Sequence, residues 1–279
     1  MIIGNKEFDT SNHTYVMGIL NVTPDSFSDG GKFNNASDAM RHVEEMIKDG
    51  ADIIDVGGES TRPGYTLIPD ENEINRVVPV IEMIKKNYDI PVSIDTYKSK
   101  VARAALGAGA DLINDIWGFK YDLKMAETVA EYDAACCLMH NRDLEKNPYD
   151  NILPDIMQDM KECIDIAKKA GIRDEKIILD PGIGFAKSCD ENLLVMNHLE
   201  MMNDLGYPVL LGTSRKSMIG ITLDLPVSER MEGTIATTVI GVIKKMAFVR
   251  VHDVKENLRA IKMTEAIINK SIINRNCGS

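Results

Sequence analysis

Eight short apolar runs punctuate the chain, and each ends in or contains a polar or ionisable side chain. The first, residues 16–21, reads Val-Met-Gly-Ile-Leu-Asn. It is too short for a typical helix and apolar at consecutive positions, the pattern of a strand buried on both faces in a parallel sheet. The others fall at residues 51–56, 91–95, 111–115, 134–140, 176–180, 208–213 and 247–252. Segments of helical period lie between them: Met40, Val43 and Ile47 form one stripe, Ile74, Val77, Val78, Ile81 and Ile84 a second, and Ile156, Met160, Ile164 and Ala167 a third. Pro79 lies inside the second and predicts a kink or break. Ser188 and Glu191 are spaced for a capping box on the sixth helix.

Eight alternations of strand and helix predict an α/β fold, a single (β/α)8 TIM barrel spanning residues 1–279. Residues 1–12, turning at Gly4 and Asn5, predict a short N-terminal β-hairpin plugging the barrel from below, and residues 274–279 a frayed polar tail. In such a barrel all strand C-termini open on one rim. Asn21, Asp55, Asp95, Asn114, His140, Asp180 and Arg250 are therefore expected around one mouth, although they are spread over most of the chain.

Composition narrows the partners. A net charge of −11 argues against nucleic acid or an anionic membrane, both of which reward a basic face. The five cysteines are odd in number and lack C-x-x-C spacing, and Cys136 and Cys137 sit inside an apolar run, so free thiols in a reducing cytoplasm are expected. No signal sequence opens the chain and no run of about 18 apolar residues occurs. The expected ligands are small molecules.

The rim makes two chemical offers. Asp95, Asn114 and Asp180 supply acceptors for a heterocycle rich in N–H donors. Arg62, Lys216, Arg250 and His252, with the amide of Asn21, suit phosphate or carboxylate oxygens. Alternation places Arg250 and His252 on one face of the last strand. The run Asp180-Pro181-Gly182-Ile183-Gly184-Phe185 is not a Walker or dinucleotide loop, and its glycines are expected to let backbone pass close to a flat ring. Glu59, Asp115 and Asp253 read as loop-bracing groups.

The stretches Met17-Gly18-Ile19-Leu20-Asn21-Val22-Thr23-Pro24-Asp25-Ser26-Phe27-Ser28-Asp29-Gly30-Gly31, Gly57-Gly58-Glu59-Ser60-Thr61-Arg62-Pro63-Gly64, Ser93-Ile94-Asp95-Thr96, Asn114-Asp115, Leu179-Asp180-Pro181-Gly182, Ser214-Arg215-Lys216-Ser217 and Arg250-Val251-His252-Asp253 closely resemble the dihydropteroate synthase family of pterin-binding barrels, in family order over nearly the whole length. Two departures are visible. Ala186 stands where the family usually has glycine, and His140 is followed by Asn141 and Arg142.

The resemblance implies condensation of 6-hydroxymethyl-7,8-dihydropterin diphosphate with 4-aminobenzoate. It implies a pterin held by Asp95, Asn114, Asp180 and Lys216, and a diphosphate near Asn21, Thr61, Arg62, Arg250 and His252, bridged by Mg²⁺ with Asn21 as protein ligand. 4-Aminobenzoate would lie against Phe27, Thr61, Pro63, Phe185, Lys216 and Ser217. Asp95, Asp180, Lys216, Asp29 and Arg62 are the expected catalytic set, with Asp29 and Arg62 pairing to close the site. A homodimer is implied as well. A corrinoid-dependent methyltransferase of the same barrel type would keep the Asp and Asn floor but has no use for a diphosphate cluster. A non-catalytic pterin-binding barrel would be expected to lack one or more of Asn21, Lys216 and Arg250.

Overall fold

The structure is a computed structural model, and it describes residues 1–22, 32–59 and 67–269. The chain opens with an antiparallel pair, β1 (Ile2–Ile3) and β2 (Lys6–Glu7), turning at Gly4, whose φ is +59°. Eight parallel strands follow: β3 (Tyr15–Asn21), β4 (Ile53–Gly57), β5 (Val92–Asp95), β6 (Leu112–Asp115), β7 (Ala135–Met139), β8 (Ile177–Asp180), β9 (Leu210–Leu211) and β10 (Phe248–Val251). They pair in the order β8-β7-β6-β5-β4-β3-β10-β9, and a parallel bridge between Leu179 and Val209 brings the two edges together. This is the barrel expected from the alternation of apolar runs.

Helices α1 (Lys32–Asp49), α2 (Asp70–Asn87), α3 (Ser99–Gly107), α4 (Met125–Glu131), α5 (Ile152–Lys169), α6 (Cys189–Asn197), α7 (Ser217–Leu223), α8 (Met231–Ile243) and α9 (Val254–Asn269) connect the strands and follow the last one. Two expectations need correction. Helix α2 continues through Pro79 without a break, held by the buried side chains Val77, Val80, Ile81 and Ile84 on either side of it. The seventh run contributes only two strand residues, because Pro208 offers a carbonyl to the amide of Leu179 (2.9 Å) but no donor of its own. The capping box forms as expected, with Ser188 Oγ accepting from the amide of Glu191 and the Glu191 carboxylate accepting from the amide of Ser188.

Strand alternation sorts every barrel residue into one of two cores. Val16, Ile54, Val92, Ile94, Ile113, Leu138 and Leu179 face outward against the helices. Met17, Ile53, Leu112, Cys137, Ile178, Leu210 and Phe248 face inward and pack on Ile3 and Phe8, so the N-terminal hairpin does plug the lower end. Cys136, Cys137 and Cys163 are free and buried. Among the described residues, no helix is long and apolar enough to cross a membrane.

Candidate active site

The same inward parity, carried to the strand ends, builds the site. In register across the sheet, Asn21 neighbours Gly57, Gly57 neighbours Asp95, and Asp95 neighbours Asn114. Gly57 is the small member of this row. A Cβ there would lie 3.5 Å from Asn21 Oδ1 and 3.9 Å from Asp95 Oδ2, so its missing side chain is the space into which both groups lean. Gly212 plays the same part across the mouth, where a Cβ would meet Asp180 Oδ2 at 3.5 Å and Lys216 Nζ at 3.8 Å.

Arg250 crosses between two strands, its Nε donating to Asp55 Oδ2 (2.6 Å) and its Nη2 to Asp95 Oδ2 (2.7 Å). Asn114 Nδ2 stands 3.5 Å from the same Asp55 oxygen. Asp55 is a floor residue that the sequence reading placed on the rim without a role. It lies two positions beyond the inward Ile53, and that spacing alone would have marked it. The second oxygens, Oδ1 of Asp55 and Oδ1 of Asp95, are buried and have no hydrogen-bond partner among the described residues. Burial is costly for these charges: it pushes Asp95 up to about 7 against the pull of Arg250, and raises Asp180 against the pull of Lys216 and of the Gly182 amide, which donates to Asp180 Oδ1 at 2.7 Å. Burial also works against the charge of Arg250, but Asp55 and Asp95 hold its guanidinium firmly protonated.

Lys216 is drawn down to about 8 by burial, with Asp180 opposing. Its Nζ donates to the carbonyl of Ile183 and lies 4.7 Å from the centre of the Phe185 ring. Ser217 follows at the exposed start of α7. Ser214 Oγ accepts the amide N–H of His252 (3.1 Å) and stands 2.9 Å from its Nδ1. Phe27, Asp29, Thr61, Arg62 and Pro63 lie outside the described residues.

Several rim residues act behind the mouth. Glu59 is enclosed by Tyr97, Lys98 and the amide of Ile68. Asp115 accepts from the amides of Trp117 (2.8 Å) and Phe119 (3.0 Å), and Asp253 from Arg215, so all three brace loops as expected. His140 is buried between Asp159 and Lys187. The glycines of the loop after β8 make room for protein groups: a Cβ at Gly182 would collide with the His140 carbonyl at 1.9 Å, and one at Gly184 would meet Lys216 Cδ at 2.9 Å. Ile116, Met139, Tyr97, Trp117 and Phe185 form an apolar wall beside the polar floor.

A mouth of this kind offers acceptors to a flat donor-rich ring and cations to an anion. The chain belongs to the family of pterin-binding enzymes, which matches residues 17–252. It is 64% identical to the dihydropteroate synthase of Clostridium beijerinckii over 97% of this chain and 100% of that one. The crystal structure of the dihydropteroate synthase of Clostridium difficile in the presence of pteroic acid superposes with a TM-score of 0.91 at 52% identity, covering 94% of this chain and 99% of that one. The Xanthomonas albilineans dihydropteroate synthase with 4-aminobenzoic acid superposes at 0.87 with 38% identity, covering 92% and 94%.

Proposed function

We propose that this mouth carries out the reaction of a dihydropteroate synthase, the condensation of 6-hydroxymethyl-7,8-dihydropterin diphosphate with 4-aminobenzoate to give 7,8-dihydropteroate and diphosphate in folate biosynthesis. The enzyme is a transferase of a pterinylmethyl group. The observation that carries this reading is the pair of buried, unpartnered oxygens, Asp55 Oδ1 and Asp95 Oδ1, beside Asn114. Buried acceptors without donors are costly, and the N–H groups on the aminopyrimidinone edge of a pterin are the donors they lack. Asp95, Asn114, Asp180 and Lys216 hold the pterin. Asn21, Thr61, Arg62, Arg250 and His252 receive the diphosphate, and Phe27, Thr61, Pro63, Phe185, Lys216 and Ser217 receive 4-aminobenzoate.

In the reaction the bond from the pterin methylene to the diphosphate oxygen breaks and a bond from that carbon to the aniline nitrogen forms. Positive charge grows on the methylene and ring as diphosphate departs, and the carboxylates of Asp95 and Asp180 stabilise it. Lys216, Arg250 and Arg62 offset the charge of the leaving group. Asp29 pairs with Arg62 to exclude water, the competing nucleophile, and Asp29→Ala is expected to lower turnover of 4-aminobenzoate about tenfold while diphosphate release to water rises. Unchanged turnover would remove this closure.

Among the described residues, no group of three or more His, Cys, Asp or Glu side chains could hold a metal ion. Magnesium diphosphate needs no such cage, because Mg²⁺ keeps waters and takes phosphate oxygens. The Asn21 amide oxygen, beside Asp95 over Gly57, fits as its single protein ligand. Bound there, the ion would neutralise charge on the leaving group.

The enzyme works in the reducing cytoplasm, in keeping with its free cysteines, and as a homodimer. The exposed Ile221, Leu223, Ile240, Ile243, Met263 and Ile267 on α7, α8 and α9 are the apolar surface for that contact, and a monomeric mass in solution would discard it. The decisive experiment for the function mixes the protein with pterin diphosphate, 4-aminobenzoate and Mg²⁺. Dihydropteroate and diphosphate should appear in equal amounts when all three are present; no dihydropteroate from the complete mixture would overturn the reading.

A further inference from the structure

Residues 181–187, between β8 and α6, hold an unusual backbone. Gly182, Gly184 and Ala186 all adopt positive φ, at +70°, +84° and +47°. A loop of this shape keeps its form only when something fastens it. The fastener is Lys187, whose ammonium turns back into the loop. It donates to the carbonyl of Gly182 (2.9 Å), to the carbonyl of Phe185 (3.0 Å) and to His140 Nδ1 (2.9 Å), so each of its three protons has an acceptor.

His140 can accept at Nδ1 because its other nitrogen is fixed as a donor. Nε2 donates to Asp159 Oδ2 (3.0 Å), and Asp159 in turn receives Arg142 Nε at 2.8 Å and faces Lys120 at 3.5 Å. Burial favours the neutral ring, drawing His140 down to about 4. A connected series of bonds therefore runs from α5 through the end of β7 into the loop. At its far end the loop presents two groups to one atom: the Ile183 carbonyl accepts from Lys216 Nζ, and the Phe185 ring lies beneath it.

We propose that Lys187 is a positioning residue for the second substrate: by clasping the loop after β8 it sets where Phe185 and Lys216 stand against 4-aminobenzoate. The proposal rests on the placement of that substrate given above. Of the groups that face the pterin, Asp55, Asp95 and Asn114 stand on β4, β5 and β6, away from the clasp, while Asp180 and Lys216 adjoin it, so the clasp bears on the second substrate more than on the first.

The test is steady-state kinetics of Lys187→Met with each substrate varied in turn. KM for 4-aminobenzoate should rise about tenfold, while kcat falls no more than about threefold and KM for the pterin diphosphate rises clearly less; an equal rise in both would overturn the proposal. A purely structural lysine would lose active enzyme, lowering kcat with both KM values unchanged, and that result overturns the proposal. Phe185→Leu, measured in parallel, separates the two claims. If it raises KM for 4-aminobenzoate and Lys187→Met does not, the substrate's placement stands and the positioning role falls; if neither raises it, the placement falls too. Should Lys187→Met fail to fold, His140→Leu removes one acceptor and leaves two. It should raise the same KM about threefold and the other by less, and equal effects on both would overturn the proposal.

Discussion

At Met17, Ile53, Leu112, Cys137, Ile178, Leu210 and Phe248 the barrel strands turn apolar side chains inward. Further along the same strands the inward side chains are Asn21, Asp55, Asp95, Asn114, Asp180 and Arg250. The lower layer gains about 1.5–3 kcal/mol for each large side chain removed from water. The upper layer takes charges out of water: Asp95 and Asp180 respond with raised pKa values, and Asp55 and Asp95 each keep an oxygen with no donor among the described residues. One layer holds the fold and the other is kept from its own best stability by the ligand it must receive. A change in the lower layer should cost stability and spare chemistry; a change in the upper layer should cost chemistry whatever it does to stability.

The largest effect is expected for Arg250→Met. It leaves Asp55 and Asp95 buried without their cation, at a cost of about 3–5 kcal/mol, and removes the proposed diphosphate contact, so kcat/KM should fall more than about 100-fold. Denaturant unfolding and initial rates on the same preparation check both; retained activity would break the division between the layers. Phe8→Ala is the counterpart below. Phe8 packs against Tyr15 and Phe248 with ring centres 4.8 Å and 5.6 Å away, and its loss should cost about 3–5 kcal/mol with kcat/KM of the folded protein unchanged.

Acidity sharpens the contrast further. Burial raises Asp95 to about 7, so its carboxylate takes up a proton as pH falls through neutrality and one of the acceptors proposed for the pterin becomes a donor. Affinity for a pterin analogue that does not itself titrate should therefore decline below about pH 7, approaching tenfold for each further pH unit, as calorimetry can measure. A flat profile from about pH 6 to about pH 8 would show that Asp95 is not the acceptor. The smallest change is expected from Ala186→Gly. Ala186 holds φ at +47°, a conformation that glycine adopts without penalty, so the variant should gain up to about 1 kcal/mol with no change in either KM.

The barrel was legible because its strands are buried on both faces, and continuous apolar runs of that kind have few other uses. Asn21, Asp95, Asn114 and Asp180 were legible as the polar residues that end those runs. Asp55 escaped a role because an acid within a run reads as an interruption, although its parity with Ile53 points it inward. Lys187 carried no signal: its three acceptors come from a distant strand end and from a backbone whose left-handed turns no spacing rule predicts. The close approach of that loop's glycines to the His140 carbonyl and Lys216 was illegible for the same reason. Pro79 was expected to break α2 on local grounds, and tertiary packing on both sides of it prevailed.

Ile3 and Phe8 pack against Phe248, a residue far away along the chain. Sealing the floor of the cylinder therefore depends on a contact of long sequence separation. Until β10 slots in between β3 and β9, the hairpin has made its own pairing but has no complete surface to rest on, so its greasy face is among the last to be covered as the chain folds.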